Sequence, residues 1–208
     1  MPLQNRVTPF GEITAVSARG MFTGNRGVLH DEHKQLGRRR WVLKAWLICQ
    51  LEFKGRHRTV MTPRRWTELF FSDEAVAIAA GHRPCYQCRY TDFRRWQAAW
   101  AEAQGLSALP RAPEMDVCLH QERIERGTRQ KRIWTSPVQD LPDGTFVTVD
   151  GTACLVQGDA LRPWSWEGYG APIARPTGDI AVLTPPPSVG VYRAGYSPQL
   201  HPSAVDSI

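Results

Sequence analysis

Apolar residues recur at three- and four-residue spacing in only a few places along the 208-residue chain, and helices are expected there. The clearest run is 91–104, where Phe93, Trp96, Ala99 and Trp100 share one side and Gly105 follows as a stop. A second helix is expected over 115–126, with Val117, Leu119 and Ile124 as its apolar side, behind a proline-flanked linker at 109–113. A third, shorter one is expected over 75–80. Ser72 precedes it as N-cap, Asp73 and Glu74 favour the positive end of the helix dipole, and Gly81 suits the position after its end.

Elsewhere the pattern is that of strands. Leu69-Phe70-Phe71 reads as a short aromatic strand, and 13–16 as an edge strand. The segment 41–53 alternates imperfectly and is rich in β-formers, with a second strand expected near 58–61. Further strands are expected around Trp134 and over 146–149, 153–156 and 180–183, with Asp143-Gly144 and Asp150-Gly151 as hairpin turns. Thr184-Pro185-Pro186-Pro187 reads as an extended polyproline brace. The pattern predicts an α+β fold: a small mixed sheet, two or three helices, a CxxC zinc-knuckle element and a mostly β C-terminal part. Residues 1–132 form the basic α+β domain that carries the CxxC pair. Residues 133–208 form a β-rich, Pro/Gly-rich part packed on the same core.

Charge sharpens that division. Residues 1–132 hold 23 Lys and Arg against 13 Asp and Glu, a net of +10, whereas 133–208 hold 3 against 7, a net of −4. Most of the excess is arginine, which grips phosphate through two parallel N–H donors. Tryptophans at 41, 46, 66, 96, 100 and 134 are interleaved with it. Phosphate contact plus base stacking is the chemistry of nucleic-acid binding; equally, the tryptophans can be core and the arginines a solvated face. Arg64, Arg65, Arg83, Arg89, Arg94 and Arg95 are the candidate nucleic-acid-binding residues. The cysteines at 49, 85, 88, 118 and 154 are odd in number and scattered, which argues against a disulfide framework and for a reducing, cytoplasmic setting. No apolar run approaches membrane-spanning length, and no P-loop, GxGxxG, GxSxG or HExxH motif occurs.

The strongest chemical signal is Gly81-His82-Arg83-Pro84-Cys85-Tyr86-Gln87-Cys88-Arg89. Two cysteines with two residues between them let both thiolates reach one tetrahedral ion, and zinc is the cofactor expected. The neighbouring arginines would lower the thiol pKa. Strand, capped helix, glycine stop and knuckle, in that order over 66–89, resemble the metal-binding domain of the Ada family of DNA alkylation-repair proteins. The residues that carry the resemblance are Phe70, Phe71, Glu74, Ala75, Ala79, Ala80, Gly81, Arg83, Pro84, Cys85 and Cys88. The resemblance implies four thiolates on zinc, with one of an upstream pair accepting a methyl group from a damaged phosphate. This chain has no cysteine between Cys49 and Cys85. Cys49 is therefore the upstream thiol, and a methyl-acceptor role would fall to it. His57 is the nearest candidate for the fourth ligand, followed by His82, His33, His30, His120 and Cys118.

A second function class stays open. Leu29-His30-Asp31-Glu32-His33 and Leu119-His120-Gln121-Glu122-Arg123 share a Leu-His-x-Glu pattern. On helices, His30 with His33 and Asp116 with His120 would each share a face. If the two clusters meet, His30, His120 and Glu122 are candidate acid–base residues of a small hydrolase or nuclease. Short echoes also arise by chance on polar faces.

Overall fold

A computed structural model of the chain describes residues 1–55 and 59–205. The architecture is α+β. The N-terminal strands β1 (Arg6–Val7), β2 (Ile13–Thr14), β3 (Phe22–Asn25), β4 (Leu47–Gln50), β5 (Leu69–Phe71) and β6 (Arg83–Pro84) form a mixed six-stranded sheet in the order β2-β1-β5-β3-β4-β6. β1 lies parallel to β5 and β4 parallel to β6, while the other pairs are antiparallel. Leu69 and Phe71 point into the core and the alternate residue Phe70 faces the other side, as a two-residue period requires. β3 and β4 approach closely because Gly24 has no side chain: a Cβ there would lie 2.0 Å from the Leu47 carbonyl oxygen.

Helix α1 (Glu74–Ala79) follows β5 and is wholly buried. Its N-cap is Asp73, one residue later than expected. The Asp73 carboxylate accepts from the Val76 amide at 2.8 Å, the Tyr169 hydroxyl at 2.6 Å and the His201 amide at 3.1 Å. Ser72 instead accepts the Trp164 indole N–H at 3.0 Å. At the other end, Gly81 turns at φ +93°, and two basic side chains take the helix-end carbonyls. Arg123 donates to Gly81 O at 2.7 Å and Lys131 donates to Ala79 O. Acids at the positive end and bases at the negative end suit a buried helix dipole.

Burial, helped by Arg26 and Arg123, pulls the Lys131 ammonium down to about 7 from its usual 10.5. Between those values the unfolded chain holds a proton that the folded chain does not. This group's stabilisation is therefore full above about pH 10.5 and lost as pH falls to 7. Lys131→Met should remove that slope. Urea titrations at pH 7 and 9 are expected to show wild type gaining about 1–2 kcal/mol relative to the variant at the higher pH.

Helices α2 (Tyr90–Ala103) and α3 (Ala112–Arg123) cover the N-terminal sheet, with Phe93, Trp96, Trp100, Met115 and Leu119 in one core with Ile48, Leu69 and Phe71. The second sheet holds β7 (Trp134–Pro137), β8 (Phe146–Val149), β9 (Thr152–Gln157), β10 (Ala160–Ser165), β11 (Gly168–Tyr169), β12 (Ile173–Ala174) and β13 (Asp179–Val182). Its order is β11-β10-β9-β8-β13-β7, with β12 paired to β10. Ala75, Val76 and Ala79 of α1 pack with Phe146, Leu155 and Tyr169 of this sheet. Helix α4 (Pro186–Arg193) packs on α2 and α3. Two helical connections thus tie the β-rich part to the N-terminal core.

Four expectations need correction. Only 47–50 of the segment 41–53 pairs as a strand, because the Val42 and Leu43 amides turn to the Arg26 carbonyl. Residues 59–61 form no strand, and Arg58 lies outside the described residues. The polyproline brace is in fact the start of α4, proline being suited to the first turn, where its missing N–H costs no bond. Asp143-Gly144 leads into β8 without joining paired strands, whereas Asp150-Gly151 does close the β8–β9 hairpin.

Candidate metal centre and its cavity

Strand β4 sits between β3 and β6, so its residues have neighbours on both sides. Thr23 lies opposite Cys49 on one side. On the other, Ile48 pairs with Pro84 and the Cys85 amide donates to Ile48 O at 2.9 Å, which brings Cys85 alongside Cys49. The chain then turns tightly. The Arg89 amide donates to Cys85 O at 3.1 Å, and the Gln87 amide donates to Cys85 Sγ at 3.4 Å. This turn returns Cys88 to Cys85 just before α2 begins. The sulfurs of Cys49, Cys85 and Cys88 all lie within 4.8 Å of one another. All three are free thiols.

This trio can hold a metal ion. Around a tetrahedral zinc with sulfurs at about 2.3 Å, neighbouring sulfurs stand roughly 3.8 Å apart, inside the observed envelope. The electrostatics agree. Hydrogen bonds from Cys49 and Cys88, with the Cys88 and Gln87 amides, hold the Cys85 thiol far below its usual value. The Cys49 thiol is pushed far up because it donates to Cys85 and Cys88. Cys88 is raised on balance: a bond from Cys49 lowers it, but Cys85 and burial outweigh that. Without a cation the trio supports one thiolate; a divalent ion relieves the repulsion among three.

Among the described residues no fourth His, Cys, Asp or Glu joins this group. His57 lies outside the described residues. Cys118 sits on α3. His82 is enclosed between Arg26 Nε at 3.3 Å and the Ala77 carbonyl, and burial, with Arg26 and Arg123 nearby, drives its pKa well down.

The histidine echo does not assemble into one site. Residues 28–36 form a turn closed by the His30–Leu36 bridge, so His30 and His33 share no helix face. His30 is buried against Thr67 at 2.6 Å and the Thr62 carbonyl at 3.2 Å, while His33 is exposed. His120 lies beside Trp41, with ring centroids 4.4 Å apart, and 3.2 Å from Arg123 Nη2. Burial, Arg123 and Lys44 pull its pKa down to about 4, so it is neutral at physiological pH. Glu122 pairs with Arg132 at 3.0 Å, and Asp116 is taken by Arg83.

Two of the arginines expected at nucleic acid are internal. Arg83 is 3% exposed and makes a two-pronged pair with Asp116 at 2.8 and 2.7 Å. Arg89 is 2% exposed, forms an ion pair with Glu74 at 2.8 Å and donates to Asp92 at 2.7 Å. Both charges hold β6 and α2 in place through buried and part-buried carboxylates. Arg64, Arg65, Arg94 and Arg95 are exposed. Tyr86 and Tyr90 are exposed too, edge-on to each other at 5.3 Å. Arg94 is one helical turn beyond Tyr90 on α2.

Beside the trio lies a cavity of about 470 Å³, lined by Cys49, Cys85 and Cys88 and by Thr23, Asn25, Trp66, Glu68 and Phe70 among others. None of Thr23, Asn25 or Glu68 stood out in the sequence. Thr23 and Asn25 lie on β3, and their place beside the thiols follows only from the pairing of β3 with the strand of Cys49. Fold and site define an α+β protein with a three-cysteine candidate metal centre. No protein family, curated protein or solved structure matches the chain. No helix among the described residues is long and apolar enough to cross a membrane.

Proposed function

We propose that this chain is a zinc-binding protein that associates with DNA or RNA, its zinc serving as a structural clamp. The observation that carries the reading is the convergence of Cys49, Cys85 and Cys88 from a strand and the knuckle beside it to within 4.8 Å. An all-sulfur donor set favours zinc over hard cations. An ion there would tie β4 to the start of α2 at the point where the chain carries the exposed Tyr86–Tyr90 pair and Arg94. Exposed Arg38, Arg39, Arg40, Arg64 and Arg65 add positive surface. The resemblance of 66–89 to the Ada metal-binding domain supports a role in DNA repair, in which Cys49, on the cavity wall, would be the thiol to test as methyl acceptor.

The test is zinc content followed by oligonucleotide binding, read by fluorescence anisotropy across a salt series. Affinity should fall steeply as salt rises. Replacing Arg94 and Arg95 with alanine should weaken binding regardless of sequence and reduce the salt slope by about 1.5. Salt-independent affinity, or no binding by the zinc-loaded protein, would overturn the nucleic-acid reading.

A further inference from the structure

The same three thiols are oxidisable sulfurs within reach of solvent. Cys49 and Cys88 are half-buried and Cys85 is 8% exposed. All three line the cavity, whose volume far exceeds that of a peroxide molecule. Tyr86 and Gln87, between the knuckle cysteines, are exposed, so Cys88 can be met from outside the fold. Cys118, half-buried on α3, and Cys154, buried in the second sheet, lie outside the trio.

Joining two of the sulfurs requires one of them to move. A disulfide holds its atoms about 2.05 Å apart, whereas the separations within the trio run up to a limit of 4.8 Å. The backbone decides which sulfur moves. Cys49 is fixed in β4, a strand paired on both sides, and the Cys85 amide is tied to Ile48 O. Cys88 lies in the turn 86–88, outside the strands and helices. Rotation of its side chain, with a small shift of that turn, carries its sulfur to Cys85. The Arg89 amide bond to Cys85 O already folds the knuckle back on itself, and closing it leaves the β4–β6 pairing as it is.

We propose that Cys85 and Cys88 are a reversible oxidation site for hydrogen peroxide, and that their disulfide displaces the ion from the trio. The inference rests on the zinc reading and adds its regulation: peroxide opens the clamp and a thiol reductant restores it. The Cys88 sulfur attacks one peroxide oxygen; an S–O bond forms, the O–O bond breaks, and the departing oxygen takes a proton and leaves as water. The Cys85 sulfur then attacks Cys88; the S–S bond forms, the S–O bond breaks, and the hydroxyl takes a second proton and leaves as water. Two electrons pass from the sulfurs to peroxide, and both protons come from solvent. Two of the trio's three thiolates are thereby withdrawn from the ion, whatever atom completes its shell.

The test uses the full chain, reduced, loaded with zinc and freed of excess metal. Hydrogen peroxide is added beside a zinc-responsive dye, remaining thiols are blocked with N-ethylmaleimide, and the protein is digested with trypsin. Zinc release should follow disulfide formation one for one. The peptide 66–89, which holds both knuckle cysteines because Arg83 precedes proline, should be lighter by two hydrogen atoms. Cys49, in the separate peptide 45–54, should be found alkylated, as should Cys118 and Cys154. Dithiothreitol should then restore zinc uptake in full. A cross-link between peptides 45–54 and 66–89 would overturn the assignment, and so would sulfinic or sulfonic acid at Cys88 that dithiothreitol fails to reverse. Zinc retained while Cys118 oxidises would sink the inference and spare the metal site. A reduced chain that takes up no zinc would remove the zinc reading, and this exchange with it.

Discussion

Cys85→Ser is expected to abolish metal uptake and to destabilise the fold by about 4 kcal/mol, the range in which loss of a bound metal falls. The argument is topological. Cys85 stands beside Cys49 across the β4–β6 pairing and beside Cys88 through the knuckle, so it joins strand and turn in one trio. Losing it leaves two thiols and no clamp between β4 and the first turn of α2. In thermal melts the variant should unfold well below wild type, and excess chelator should bring wild type down towards the variant while leaving the variant where it is. If the melts of wild type, chelated wild type and variant coincide, the trio contributes no metal-linked stability. Cys154→Ser provides the control, since Cys154 is buried in the second sheet far from the trio in the fold.

The second large effect is expected from Asp116→Ala. Arg83 is buried, and its guanidinium is held by both Asp116 oxygens. Removing the carboxylate strands a charge in the core, which costs about 3–5 kcal/mol. Arg83 lies in β6, two residues before Cys85, so the damage should reach the metal centre. The variant is expected to melt about 10 °C lower and to hold zinc more weakly than wild type. Arg83→Met combined with Asp116→Leu should recover much of the stability, because matched apolar groups replace the pair without leaving a lone charge. A single Asp116→Ala variant as stable as wild type would show that Arg83 finds another partner.

Local features of this fold were legible in the sequence and distant ones were not. The 69–71 strand, the short helix closed by Gly81, the helix over 90–103 and the CxxC turn rest on neighbours within a few residues, and the chain displays them directly. Cys49 was recognisable as the third thiol of the trio because no other thiol precedes the knuckle. The inward turn of Arg83 and Arg89 was hidden, since it depends on carboxylates brought from α3 and α1. In the sequence, an arginine beside a cysteine reads as electrostatic support for the thiolate; in the fold, these two are the struts that position it. The His30–His33 pair misled for a related reason, because a helical spacing has meaning only if the segment is a helix, and 28–36 is a turn. The cavity was invisible because its floor comes from three strands whose order in the sheet differs from their order in the chain.

X-ray absorption at the zinc edge of the reduced, zinc-loaded protein tests the central claim most directly. The account predicts one zinc per chain with three sulfurs at about 2.3 Å and a single lighter atom completing the shell. A shell of nitrogen and oxygen alone, or a folded, fully reduced chain that takes up no zinc, would contradict it.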